Sequence, residues 1–180
     1  LSERASYDFL SQLYNRSTFE RELKSEIERS AHSKVAVLFI DVDDFKFIND
    51  RFGHSVGDEV IKYVAGCIKQ RVKGSGFAGR FGGDEFVLCI TDPKQIEEIE
   101  SLSLDLIDEL YEGYHSELAN VSINVKASIG IAFYPEHGDD SNKVVAAADE
   151  AMYFVKKNGK ANYHIYQPED SEMEDLQHTL

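Results

Sequence analysis

The chain has 180 residues, 42% apolar and 29% charged, enough for one soluble globular domain with a substantial core. Its formal net charge of −14 argues against nonspecific binding to nucleic acid or to an anionic membrane, since both need a basic face. The longest purely apolar run, Val35 to Ile40, is far too short to span a bilayer, so no direct membrane insertion is expected.

Leu1 is followed by polar and charged residues, and no initiating Met or signal peptide is visible. The expectation is a segment cut from a longer protein. Cys67 and Cys89 lie far apart, each inside an apolar pattern, which suggests buried thiols in a reducing compartment. Cytoplasmic localisation follows, including the case of a cytoplasmic part of a membrane-anchored protein. The histidines are scattered without helical metal-ligand spacing.

Taken in order, Tyr7 to Arg16 reads as a short helix and turn that pack Phe9, Leu10 and Leu13. Ser17-x-x-Glu20 reads as a capping box, followed by Phe19, Leu23 and Ile27 at helical spacing and an end near Ala31. Val35 to Val42 reads as a fully buried strand, with Asp41 at its C-terminal end, where α/β sheets often place ligand chemistry. Asp44 to Phe52 is a short helix stopped by Gly53. Phe45, Ile48 and Phe52 share its apolar face, and Lys46 and Asn49 share a polar one. A second helix opens around Gly57-Asp58, with Val60, Ile61, Val64, Ala65 and Ile68 inside.

Phe77-Ala78 and Phe86 to Ile90 flank Gly82-Gly83-Asp84-Glu85, which reads as a β-hairpin whose tip carries two glycines and two acids. Glycine permits positive φ and close approach to the backbone. Adjacent carboxylates repel unless a cation intervenes, and a hard divalent ion suits oxygen ligands. A plain solvated turn is the alternative. Asp92-Pro93 reads as the start of a helix carrying Ile96, Ile99, Leu102, Leu106 and Leu110, ended by Gly113. Val121 to Phe133 alternates strictly and predicts one long strand with a single face in the core. Ser141 can cap a last helix with Val144, Val145, Ala148, Met152 and Val155 inside, closed by Lys156 to Gly159. Asn162 to Tyr166 reads as a closing strand.

Four stretches together resemble the GGDEF family, the diguanylate cyclases. They are Asp8-Phe9-Leu10-Ser11 to Arg16, Asp41 to Asp58 (Asp-Val-Asp-Asp-Phe-Lys-Phe-Ile-Asn-Asp…Gly-His-Ser-Val-Gly-Asp), Gly82 to Phe86, and Ser128 to Asn162. The resemblance implies a nucleotidyl-cyclase palm of α/β (α+β) class: a central, largely antiparallel sheet of about five strands surrounded by helices. It implies a GGDEF domain over 1–166 and an acidic tail or linker over 167–180. The implied reaction condenses two GTP molecules into cyclic di-GMP with release of pyrophosphate.

The same resemblance implies that Asp41, the backbone carbonyl of Val42, and Asp84 hold Mg2+ (or Mn2+). Glu85 either joins the metal or activates the nucleophile. Asn49 and Asp58 suit the edge of guanine, whose N1–H and N2 donors a carboxylate can accept. Phe45, Lys46, Gly82, Gly83, Lys156 and Lys160 complete the implied substrate-binding set. A single set of site residues without an internal repeat implies a transient two-fold homodimer, supported by an N-terminal sensor or coiled coil outside this chain. Two departures stand out. Lys160 replaces a frequent Arg and loses its bidentate fork. Lys73-Gly74-Ser75-Gly76 replaces the Arg-x-x-Asp of product inhibition, so weak feedback is expected.

Overall fold

The computed structural model describes residues 6–29 and 33–171. At its centre lies β1 (Val35–Val42), with seven of its eight residues buried. A strand apolar on both faces must be covered on both, and it is. Its neighbours are β3 (Glu85–Thr91) and β6 (Ala127–Tyr134), both antiparallel to it. With β2 (Gly76–Gly82) and β7 (Tyr163–Ile165) they form a five-stranded sheet in the order β2-β3-β1-β6-β7, where only the β6–β7 pairing is parallel. This is the expected palm-like sheet.

Alternate residues of β1 feed two separate cores. Ala36, Leu38 and Ile40 pack with α2 (Phe45–Phe52), α3 (His54–Val72) and α4 (Ile96–Glu112). Val35, Val37 and Phe39 pack with α1 (Arg16–Arg29) and α5 (Ser141–Lys157). Phe19 and Phe86, one in each core, are fully buried, and truncating either to Ala costs about 3–5 kcal/mol.

Several boundaries differ from the sequence reading. Residues 7–15 form a turn, not a helix. Tyr7 bridges Tyr14, Leu13 is buried, and Phe9 stands 92% exposed. The cap of α1 is Asn15, whose Oδ1 accepts the Thr18 N–H at 3.0 Å, so Ser17 lies inside the helix. The expected end near Ala31 falls outside the described residues. α3 starts at His54, which places Gly57 and Asp58 inside its first turns. α4 starts at Ile96, after Asp92 has taken a positive φ of 49°, and Ile96 is exposed. Asp140 caps α5 by accepting the Lys143 N–H at 2.8 Å, so Ser141 is its first residue.

The alternating stretch from Val121 is not one strand. β5 (Val121–Ile123) pairs with β4 (Tyr114–Ser116) in a separate two-stranded sheet. The Val125 N–H then bonds the Leu110 carbonyl at 3.1 Å, and the chain enters the central sheet at Ala127. From there both faces are buried, Ser128 included. After β7, residues 168–171 form a helical turn that packs on the domain. Asp170 is buried and pairs with His164 at 3.0 Å.

Gly130 in β6 is where α5 rests on the sheet. A Cβ there would overlap the backbone of Ala148 and Met152. Gly130→Val should therefore push α5 away and lower the unfolding free energy by about 3 kcal/mol. Urea denaturation of the variant measures that loss, and an unchanged midpoint would refute this packing role.

Candidate functional site

The sheet order sets β1 beside the hairpin β2–β3, so the end of β1 meets the hairpin tip. Asp41 faces Glu85 across the β1–β3 ladder, and the Val42 N–H donates to the Asp84 carbonyl at 3.2 Å. Cross-strand neighbours project on one face, so Asp41 and Glu85 share the side covered by α1 and α5. Asp41, Asp84 and Glu85 are thereby gathered at one point.

The electrostatics of that point are unfavourable for three ionised acids. Burial, then the neighbouring Asp84, push Asp41 up to about 8, against the pull of Lys156. Burial and Asp84 also hold Glu85 above the usual carboxylate range. Asp41 and Asp84 can share a hydrogen bond only while one carries a proton. With both ionised, the buried Asp41 Oδ1 has no donor. A buried acceptor without a donor is costly, and a cation resolves it.

The expected metal ligands fit that need. Among the described residues no three His, Cys, Asp or Glu side chains are spaced to enclose a metal by themselves. Two carboxylates and the Val42 carbonyl would leave positions to phosphate oxygens and water, which is how magnesium is commonly held.

Arg80 fixes the hairpin tip. Its guanidinium donates to the Gly82 carbonyl at 3.1 Å and the Gly83 carbonyl at 2.8 Å, and pairs with Asp8 at 3.1 Å. Burial raises Asp8, but bonds from Ser11 and Arg80 outweigh it, and the carboxyl sits below its ordinary value. Neither Gly82 nor Gly83 uses positive φ. A Cβ on Gly82 would crowd the Glu85 carboxylate at 3.0 Å, whereas Gly83 faces open space. A cavity of about 390 Å³ opens beside Glu85, between Phe39, Phe81 and the helices α1 and α5.

Of the other expected residues, Lys156 reaches the cluster: its Nζ lies 2.7 Å from Asp43 and 3.6 Å from Asp41. Asn49 lies over Gly57, where a Cβ would overlap its side-chain oxygen, so the tight α2–α3 junction sets Asn49 beside the turn carrying Asp58. Phe45 packs partly into the core against the same glycine. Lys46 does not approach the carboxylates. It is 90% exposed and pairs with Asp50 at 3.0 Å. Lys160 pairs with Asp44 at 2.9 Å on the surface.

The sequence reading overlooked Asp43 and gave Arg80 no role. Asp43 is 3% exposed and accepts from Ser128 Oγ at 2.7 Å, Lys156 Nζ at 2.7 Å and the Ala161 N–H at 3.0 Å. The signal that could have found it is the Asp41-x-Asp43 alternation at the end of a strand, which marks both acids, not one.

A palm-like sheet with acids at the end of its central strand and at the adjacent hairpin tip defines a nucleotidyl-cyclase type of domain. The family model "Diguanylate cyclase, GGDEF domain" matches residues 5–162, and the chain belongs to that family. It is 33% identical over 169 residues to the bifunctional diguanylate cyclase/cyclic di-GMP phosphodiesterase MucR of Pseudomonas aeruginosa, covering 93% of this chain and 24% of MucR. Thus it spans about a quarter of that relative's length. A structure of TpbB from P. aeruginosa, comprising only the GGDEF domain, superposes with a TM-score of 0.89 at 30% identity, covering 94% of this chain and 99% of that one. The GGDEF domain of DgcB from Caulobacter crescentus, in complex with c-di-GMP, gives a TM-score of 0.85 at 27% identity, covering 92% and 95%. Among the described residues no helix is long and apolar enough to cross a membrane.

The raised Asp41 has a consequence for stability. Its unfolded-state value is near 4, so the stability gained by keeping it protonated is full below about pH 4 and lost as the pH rises through about 8. Metal-free protein should therefore lose thermal stability across that window. Asp41→Asn should flatten the loss, and magnesium should offset it in the wild type only. Melting curves across the window, with and without magnesium, provide the check.

Proposed function

We propose that this domain is one half-site of a diguanylate cyclase, which condenses two GTP molecules into cyclic di-GMP and two pyrophosphates. The observation that carries the reading is the Asp41–Asp84–Glu85 cluster, with its unpartnered buried oxygen and Lys156 alongside. Diguanylate cyclases among the relatives support it. Asp41, the Val42 carbonyl and Asp84 would hold Mg2+ or Mn2+, which when bound polarises the α-phosphate and offsets charge developing there.

Asn49 and Asp58 read the guanine edge. Adenine presents the opposite donor pattern and would leave Asp58 unpaired. Lys156 neutralises the polyphosphate, and Lys160 must leave Asp44 and Lys46 must leave Asp50 to join it. Each 3′-oxygen attacks the α-phosphorus of the other nucleotide. The α–β phosphoanhydride bond breaks, pyrophosphate leaves, and the hydroxyl proton passes to a base. Glu85, held above the usual carboxylate range, lies beside the metal ligands as a candidate for that base or for a further ligand.

One chain supplies one such set of residues, so two domains must face each other with hairpins opposed. The whole protein would keep this segment in the cytoplasm and use an N-terminal sensor or coiled coil to pair the domains.

Incubation with GTP and magnesium should yield cyclic di-GMP on chromatography, and Asp84→Asn should abolish it. GTP with magnesium should raise the melting temperature, and ATP should not. Equal shifts for the two would refute the guanine site. Activity per chain should rise with protein concentration. A flat dilution series from a chain shown to be monomeric by sedimentation would refute the paired half-sites.

Product feedback should be weak. Lys73 to Ser75 form a tight turn with Gly74 at φ 76°, and the stretch offers no carboxylate. Tight cyclic di-GMP binding by calorimetry, lost in Lys73→Ala, would contradict this.

A further inference from the structure

Asp43 does none of the work assigned above, yet it is the most heavily bonded acid near the site. Its Oδ1 accepts from Ser128 of β6 and Lys156 of α5, and its Oδ2 accepts the backbone N–H of Ala161, ahead of β7. With three protein donors and 3% exposure, this carboxylate has little capacity left for a metal or a nucleotide. Its influence must pass through the groups it holds.

Two of those groups bear on the phosphates. Lys156 would otherwise end in a mobile ammonium, as Lys46 does at 90% exposure. Held by Asp43, its side chain is 18% exposed and its charge sits 3.6 Å from Asp41. The second is the turn carrying Lys160. Gly159, Lys160 and Ala161 follow one another with φ of 103°, 61° and 51°, a run that residues with a Cβ adopt reluctantly. The Ala161 N–H to Asp43 bond pins that turn, and the Lys160 N–H bonds the Val155 carbonyl at 3.0 Å.

We propose that Asp43 is a positioning residue, which orients Lys156 and the Lys160–Ala161 turn toward the polyphosphate of the nucleotide without touching it. This role rests on the GTP site proposed above. A purely architectural ion pair would instead support the fold and affect every ligand alike.

Two measurements on the full chain test this, the first the restraint on Lys156 and the second its difference from an architectural pair. The first needs no nucleotide: acylation of lysines followed by mass spectrometry. In the wild type Lys156 should react several-fold more slowly than Lys46, and in Asp43→Asn it should approach the rate of Lys46. Fast labelling of Lys156 in the wild type would overturn the proposal even if the variant failed to fold.

The second is calorimetry with magnesium and a non-hydrolysable GTP analogue, alongside guanosine. Asp43→Asn and Lys156→Met should each weaken the triphosphate about tenfold, the scale of one charge-assisted contact, and leave guanosine unchanged. The double variant should bind more weakly than Lys156→Met alone, through the loosened Lys160 turn, but by less than the full Asp43→Asn loss. Additive losses, or an equal loss for guanosine, would overturn the positioning role. A wild type that binds neither ligand would overturn the GTP site itself. A wild type that binds both, with triphosphate affinity unchanged in Asp43→Asn, would overturn only the role of Asp43.

Discussion

A buried carboxylate needs donors on all sides, and Asp43 finds them on three segments far apart in sequence: Ser128, Lys156 and Ala161. Removing Lys156 leaves the charge uncompensated in a place water does not reach, and removing either neutral donor leaves a buried oxygen short of a hydrogen bond, both costlier than losing a surface pair. The arrangement therefore fixes the end of β1 against β6, α5 and the chain entering β7. The Asp43 acceptor explains why β6 tolerates the Ser128 hydroxyl on a fully buried face. The same knot fixes how far Lys156 can travel. Fold and site thus share one constraint at the end of β1.

The hairpin is held by an independent device. Arg80 closes the tip from within through the Gly82 and Gly83 carbonyls, and its remaining N–H bonds go to Asp8. The entering chain adds to this, since Tyr14 and the backbone of Ala78 and Arg80 exchange hydrogen bonds at 3.2 and 2.9 Å. Arg16 sits 4.9 Å over the Phe81 ring at the start of α1. The segment through which the chain enters the domain is bonded to the strand that carries the two glycines.

Much of this was legible because burial imposes a period. β1, the hairpin, α3 and α5 each carry a pattern that only one element satisfies. The stretch Val121 to Phe133 was misread for the same reason. β5 buries one face only, the three residues after it keep the alternation while Val125 bonds to α4, and the pattern runs unbroken into β6, whose second face is buried as well. Caps were misplaced by one or two residues because Asn15 and Ser17, or Asp140 and Ser141, are chemically equivalent until the backbone chooses. Within the site, Asp41 and Asp84 are legible as a pair because the signature marks them, and the sheet brings them together. Asp43 is not, since its role depends on Ser128 and Ala161, which carry no signal of their own. Lys46, expected at the phosphates, pairs with Asp50 at the surface, a partner that the sequence pattern does not mark.

The chain carries a net charge of −14 and gathers three acids where a triphosphate would arrive. Long-range attraction cannot bring the nucleotide in. At physiological ionic strength, however, charges beyond about 8 Å are largely screened, so the local set decides the outcome. That set is Asp41, Asp43, Asp44, Asp84 and Glu85 against Lys156 and Lys160, short of positive charge until a divalent ion is present. With the ion in place the site is close to neutral before the phosphates arrive. Metal and nucleotide should therefore bind as a linked pair, each weakly alone, because each supplies the charge the other lacks. Two loaded domains would again present like charge to one another, and at contact distance screening no longer helps. On the proposed pairing of half-sites, catalysis would then depend on whatever holds two copies close.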